Sequence, residues 1–300
     1  MDKTPRLLLA FLLSTGAVTV EPATRLMAYP AQGPGVAGQA AQLKAAAANA
    51  SDIAFRDYDF QTEQQLLAFA NQSRQKAGAP PLKIDAGLSQ AARIHARAML
   101  RARRLSHQFD GEPSLPQRLA TTAHLELDQE GENVALDYDA ENAHQHLMLS
   151  PPHRENLLNP AYNVVGLGVV RSGDRLYIVQ DFGHALPSYS SAEVKNRIAA
   201  AVNQTRRQAS QPELQRRDLM VADNAACSMA QADQLGTSPV RKLAEHSTIL
   251  TYTTLYPETL PDGTGQTIAS RNLHSFSIGA CYGRTNSHPT GVYWVVLSLE

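Results

Sequence analysis

Three hundred residues exceed one ordinary domain and fit two, or one with appendages. Hydrophobic residues at 43% and charged residues at 18% exclude a disordered polyelectrolyte, a collagen-like chain and a coiled coil. Lysine plus arginine (27) against aspartate plus glutamate (28) leaves a net charge of -1, so no global field recruits nucleic acid or membrane, and any such binding is local. Two cysteines, Cys227 and Cys281, exclude a four-thiolate metal site and leave room for a single bridge.

Lys3 and Arg6 precede the run Leu7-Leu8-Leu9-Ala10-Phe11-Leu12-Leu13, and small or apolar residues continue to Val20. This is the charged, then apolar layout of a secretory signal, too short for a stable transmembrane anchor and without a cysteine for lipid attachment. Export to the periplasm or the outside is therefore expected, with residues 1–20 as the signal. Residues 21–55, rich in Ala, Gln, Gly and Pro, read as a linker that buries too little apolar surface to offset its ordering entropy.

Thr62 with Gln65 predicts a capping box, followed by a helix with Leu66, Leu67 and Ala70 on one stripe that stops at Gly78 and Pro80-Pro81. Asp85 predicts the cap of a second helix. Its Leu88, Ala91, Ala92, His95 and Met99 share a core face, while Arg93, Arg97, Arg101 and Arg104 run along another. That arginine stripe reads as a solvated face or as a patch for anionic envelope polymers or lipid headgroups. A polar loop is expected to hold Ser106-His107 and Gly131-Glu132-Asn133. A third helix spans about Asp139 to Leu149 and breaks at Ser150-Pro151-Pro152, directly before His153. Residues 164–170 and 176–182, joined by Ser172-Gly173-Asp174, predict a buried hairpin.

These motifs, in this order, resemble the cysteine-rich secretory, antigen 5 and pathogenesis-related family (the CAP or SCP domain) in its bacterial form. The resemblance rests on Leu66 to Pro81 with Asn71 and Arg74, the alanine-rich helix around His95, Ser106-His107, Gly131-Glu132-Asn133, the stretch from Ser150 to Asn159, and Val165-Gly166-Leu167-Gly168-Val169. It implies an α+β fold, a three-layer α-β-α sandwich over residues 56–187, whose cleft gathers His and Glu side chains, in some members around a divalent metal such as Zn2+. His107, Glu132 and His153 match the family's positions. The family's fourth position, a glutamate elsewhere, falls near Ser150, and Leu147 replaces a common aromatic. The resemblance also implies an apolar or envelope-derived ligand, lipid among them.

Asn71-Gln72-Ser73-Arg74 returns 132 residues downstream as Asn203-Gln204-Thr205-Arg206, with Ser190 and Glu193 as a capping box and Pro212-Glu213-Leu214 after it. Near the end, the stretch from Ile278 to Arg284 parallels that from Val165 to Arg171. Residues 188–300 therefore read as a degenerate second domain of the same type, or as an unrelated α+β extension. This half lacks Gly-Glu-Asn, and His246, His274 and His288 occupy no matching place, so its expected role is structural or as a dock for a protein partner. A Cys227–Cys281 bridge would tie its second helix to a late strand and stabilise by about 3 to 4 kcal/mol; two buried thiols are the alternative.

Two imidazoles and a carboxylate suit a divalent ion with one position left for water. His107 and His153 lie 46 residues apart, so only the family resemblance joins them. Without metal, Glu132 becomes an acid or base, and Ser106 and Ser150 are the hydroxyls within reach in sequence, neither on a nucleophile elbow. A buried hydrogen-bond network that fixes the loops is the competing expectation. His95 reads as a satisfied core residue, and His144 and His146, two apart on a helix, diverge. The functional expectation is an exported binding module, against a metal-assisted hydrolase using His107, Glu132 and His153, and against an interaction scaffold.

Overall fold

A computed structural model describes residues 58–300, apart from 237, 242, 245 and 246; the expected signal and linker lie outside the described residues, as does His246. Helix α1 (Phe60–Ala77) starts one turn earlier than the sequence suggests. Asp59, not Thr62, is the N-cap: its Oδ1 accepts the Thr62 amide at 2.9 Å, one of the orphan donors of the first turn. Gly78, at φ 75°, ends the helix in the left-handed conformation that costs glycine nothing. Strand β1 (Lys83–Ile84) and helix α2 (Ala86–Ala102) follow, the latter capped by Asp85 on the Leu88 amide as expected.

Helix α3 (Leu115–Thr122) was not anticipated, although Ser114 and Gln117 form a capping box with a proline in the first turn. The polar loop expected around Gly131-Glu132-Asn133 is instead the middle of strand β2 (Glu126–Asp137). Its charged residues conceal a strand because cross-strand pairing and buried ion pairs, not apolar alternation, hold it. Helices α4 (Ala140–Leu149) and α5 (Pro151–Leu158) meet at Ser150, and β3 (Val164–Ser172) and β4 (Arg175–Leu186) form the predicted hairpin.

The sheet order is β1-β3-β4-β2, with β1 and β3 parallel and the other neighbours antiparallel. Strand alternation sends Val169 and Ile178 into a core with Leu66 of α1, Leu147 of α4 and Leu157 of α5. Val170 and Val179 face the opposite side, where they meet Ala92, Ala96 and Met99 of α2. The result is helix, sheet, helix in three layers. A Cβ on Gly166 or Gly168 would overlap the α2 backbone at Leu88 or Ala92, so these glycines set how closely the helix lies on β3.

The second half repeats this plan: α6 (Ser191–Gln208), β5 (Gln215–Arg217), α7 (Met220–Ala232), β6 (Thr248–Thr254), α8 (Gly265–Ile268), β7 (Ser275–Gly283) and β8 (Val292–Leu299). Its sheet order, β5-β7-β8-β6, is that of the first with each strand replaced by its counterpart. Core side chains again divide between two faces, Ile198 and Val202 of α6 against Ile278 and Val295, and Ala222, Ala226 and Met229 of α7 against Trp294 and Val296. Both modules therefore belong to one α+β sandwich type, and both lie within one compact unit.

Two buried arginines make the likeness physical. Arg74 is fully buried and donates through Nε to the Pro80 carbonyl at 2.6 Å, and through its terminal nitrogens to Leu157, Asn159 and Tyr162 at 2.9, 3.0 and 2.8 Å. Arg206 does the same for Pro212, Ile268 and Ser270 at 2.7, 2.9 and 2.6 Å. Asn71 and Asn203 accept the amides of Leu82 and Leu214 in parallel fashion. Among the described residues no carboxylate pairs with either guanidinium; backbone carbonyl dipoles hold it.

The Cys227–Cys281 bridge is formed, with Cα atoms 5.1 Å apart, joining α7 to β7. Reduction, or Cys227→Ala with Cys281→Ala, is expected to lower stability by about 3 to 4 kcal/mol through the 54-residue separation; denaturant titration with and without reductant checks it. Arg74→Ala and Arg206→Ala each orphan three or four carbonyls at about 1 kcal/mol or more apiece. Each variant is therefore expected to lose at least about 3 kcal/mol, and Lys is not expected to rescue, because an ammonium lacks the planar fork. A loss below about 1 kcal/mol in urea melts contradicts the carbonyl-clamp account.

Candidate functional site

Strand β2 is at the edge of its sheet, so its two faces and its free edge are all open to neighbouring loops. Glu132 shares a face with Val134 and so looks toward the layer of α2 and α3; Asn133 looks toward α5. In register, Glu132 stands opposite Asp181 and Asn133 opposite Gln180 on β4.

Glu132 is almost fully buried at 8% exposure and fully engaged. Its Oε1 lies 2.9 Å from His107 Nδ1. Its Oε2 accepts from the Arg118 guanidinium of α3 and lies 3.8 Å from His95 Nε2. Arg118 also donates to the His107 carbonyl at 2.9 Å and stands 3.7 Å from Glu112. Glu112 in turn takes His95 Nδ1 at 2.7 Å and the Phe109 amide at 3.0 Å. His95 Nε2 meets the Ser106 carbonyl at 2.8 Å. Both nitrogens of His95 thus face oxygen atoms. On the other face, Asn133 donates to the His153 carbonyl at 3.1 Å and to Gln180 at 3.2 Å, while Asn156 donates to the Glu132 carbonyl and to the Asn133 side chain.

Two of the three expected ligands are therefore joined directly, His107 to Glu132. His153, on α5, is half-buried and reaches this cluster through its backbone, and burial together with the His107 charge pulls its pKa down. Among the described residues no group of three or more His, Cys, Asp or Glu is arranged to hold a metal ion. The donor set as it stands does not fit a divalent cation. Glu132 has each oxygen bound, and the Arg118 cation occupies the place beside Oε2 where a metal would compete for the same charge. The buried charges are paired with one another, Glu132 with Arg118 and His107.

Asp181 is fully buried, and neither of its carboxyl oxygens has a hydrogen-bond partner. Burial first, and then the Glu132 charge, push its pKa well above the usual carboxylate value, with Arg118 opposing. Arg118, Glu112 and Asp181 escaped the sequence reading. The capping box at Ser114 places α3 and hence Arg118; nothing in sequence marks Asp181, which follows five apolar or neutral strand residues.

The remaining histidines part company. His144 Nε2 meets Ser73 Oγ at 2.8 Å, His146 Nδ1 meets Asp137 at 2.6 Å, and His184 Nδ1 meets Asp128 at 2.7 Å. The divergence of His144 and His146 is as the helical spacing requires. Ser106 Oγ donates to the Gln108 carbonyl at 2.6 Å and so faces away from nucleophilic work.

Residues 67–182 match the family model for the cysteine-rich secretory protein (CAP) family. The first module is a CAP domain. The chain is 33% identical over 133 residues to an uncharacterized membrane protein, YlbC, of Bacillus subtilis, covering 44% of this chain and 37% of that protein. It is 33% identical over 112 residues to an uncharacterized protein, YkwD, of the same organism, covering 37% and 43%. The chain thus spans under half the length of these curated relatives. Among solved structures, it is similar to an extracellular protein containing a SCP domain from Bacillus anthracis at 28% identity and a TM-score of 0.38, covering 42% of this chain and 41% of that one.

In the second module the corresponding register positions carry no carboxyl pair. Gly279 lies against Ala222 of α7 as Gly166 of the CAP domain lies against Leu88 of α2. Gly166 pairs with Asp181, which pairs with Glu132; Gly279 pairs with Val296, which pairs with Thr251. Valine and threonine replace the carboxyl pair.

Because the folded pKa of Asp181 is raised, its contribution to stability is complete below the unfolded value of about 3.8 and declines as pH climbs toward the folded value. The slope is up to about 1.4 kcal/mol per pH unit. Asp181→Asn removes that decline, so the stability difference between variant and parent is expected to grow in the variant's favour from about pH 4 upward. Urea melts across that range that stay parallel refute a neutral, buried Asp181.

Proposed function

We propose that this chain is an exported binding module of the cell envelope, in which the surface around His107 and His153 recognises an apolar or envelope-derived ligand and does not turn it over. The carrying observation is the saturation of Glu132: a carboxylate held by Arg118 and His107 is a rigid floor and a poor general base. His107, with its side chain 61% exposed, is the group that a ligand meets first. Export is supported by the charged, then apolar N-terminal run and by the Cys227–Cys281 bridge, which persists in oxidising compartments. In this reading residues 188–300 are a degenerate copy of the CAP domain. Arg284 of that copy donates to the carbonyls of Ala120, Ala123 and Leu125 at 3.0, 2.8 and 3.2 Å, gripping the C-terminal end of α3, the helix that carries Arg118.

The second reading is a metal-assisted hydrolase. One observation favours it: burial keeps His153 toward the neutral form that a zinc ligand needs. It requires Glu132 to give up Arg118 or His107. Metal analysis after equilibration with zinc separates the two, as does an ester and peptide panel. We expect substoichiometric zinc, unchanged in His107→Ala and His153→Ala, and no turnover that disappears in Glu132→Gln. One zinc per chain lost in both histidine variants, or Glu132-dependent turnover, replaces the binding reading with the hydrolase. Titration with fatty acids and soluble peptidoglycan fragments, followed on the His107 and His153 ring resonances, is expected to give saturable shifts with one of the two.

A further inference from the structure

Strand β6 is the last strand at one side of the second sheet and pairs on one side only, with β8. Every second residue of such a strand turns its N–H and C=O outward. Among the described residues no backbone partner meets these groups along Thr248–Thr254. The first module guards the equivalent edge: β2 carries five acids, and the loop bearing His107 reaches across it. From Ser247 to Pro257, by contrast, there is no charged residue, and the strand Thr-Ile-Leu-Thr-Tyr-Thr-Thr consists mainly of residues that favour extended backbone. An uncharged open edge of this kind is a template for a further strand.

A cavity of about 490 Å³ lies against the same strand, and Tyr252, Thr253 and Thr254 all line it. Successive strand side chains point to opposite faces, so a cavity that touches three in a row opens along the edge and not onto one face. Its walls are apolar: Leu235, 41% exposed after α7, and Leu260 with Pro261 in the loop before α8. Asp262 is its one charged lining residue among those described, which disfavours an acidic occupant.

We infer that β6 accepts an additional strand: an extended segment of a partner protein, free of acidic residues, with large apolar side chains at alternate positions. Main-chain hydrogen bonds to the open edge hold the segment, and its apolar side chains fill the cavity. A second copy of β6 is the poorer occupant, because four of its seven residues are threonine and leave Leu235, Leu260 and Pro261 uncovered. This site belongs to the second module and is independent of the ligand proposed at His107.

The test selects random heptapeptides, displayed on phage, against the immobilised full chain, and measures the recovered sequence as a labelled synthetic peptide by fluorescence anisotropy. Enrichment of Val, Ile, Leu or aromatic residues at every second position is expected, with Asp and Glu depleted. N-methylation of one alternate set of peptide amides removes the donors that face β6 and is expected to weaken binding about tenfold or more, while methylation of the other set has little effect. Leu235→Lys, a change at an exposed position whose fold circular dichroism checks, is expected to weaken binding about tenfold. No alternating enrichment, equal effects of the two methylated sets, or binding indifferent to Leu235→Lys overturns the inference. A dimer of the unliganded chain in sedimentation, dissociated by the selected peptide, overturns it as well, since a second copy then holds the edge. Titrations followed on the His107 and His153 rings do not enter these measurements, so the two proposals fail separately.

Discussion

The Arg74 guanidinium is the fastening on which the CAP domain depends. It leaves α1, passes through the core, and satisfies the carbonyls at the end of α5 and in the turn that feeds β3. A segment of irregular backbone is buried there without a strand or helix to absorb its acceptors, and a five-donor planar cation is a compact way to do so. The position of α5 follows from that contact, and with it Asn156 and His153. Arg206 repeats the solution in the second module with a different loop, which indicates that the architecture, not the site, requires it.

From this fastening the site follows by strand geometry. An edge strand offers two faces and an open edge, and β2 uses all three: Glu132 toward α2 and α3, Asn133 toward α5, and the loop bearing His107 across the edge. The cluster is closed on itself. Two carboxylates, one guanidinium and the His95 ring contact one another in a largely buried cluster, and burial together with the Glu132 charge pushes the pKa of the third carboxyl, Asp181, well above its usual value. Such a network makes loops rigid. It leaves His107 as the outward-facing member, and it is braced from the second module through Arg284 on α3.

The two modules share a fold and differ at the positions that carry the site in the first. The sheet order, the glycine under the second helix, the asparagine and the arginine of the first helix all recur. At the corresponding paired positions stand Thr251 and Val296, the latter in the apolar core. A disulfide from α7 to β7 then adds stability to a module that carries no ion-pair cluster of this kind.

Much of this was legible in the sequence because it rests on local chemistry. Asp85 and Ser190 cap their helices, two apolar runs joined by Ser172-Gly173-Asp174 mark the hairpin, and the recurrence of Asn-Gln-Ser/Thr-Arg announces two modules of one type. The pairing of His107 with Glu132 came from family resemblance alone, since 25 residues of sequence separate them. Tertiary structure decided the rest. A strand rich in Glu, Gln and Asn reads as a loop until its partners are known, and Arg118, Glu112 and Asp181 carry no periodic signal. Whether the acidic side chain beside His107 awaits a metal or is already neutralised depends on which cation the fold brings beside it. Coulomb attraction acts on distance in space, and a separation along the chain does not fix that distance.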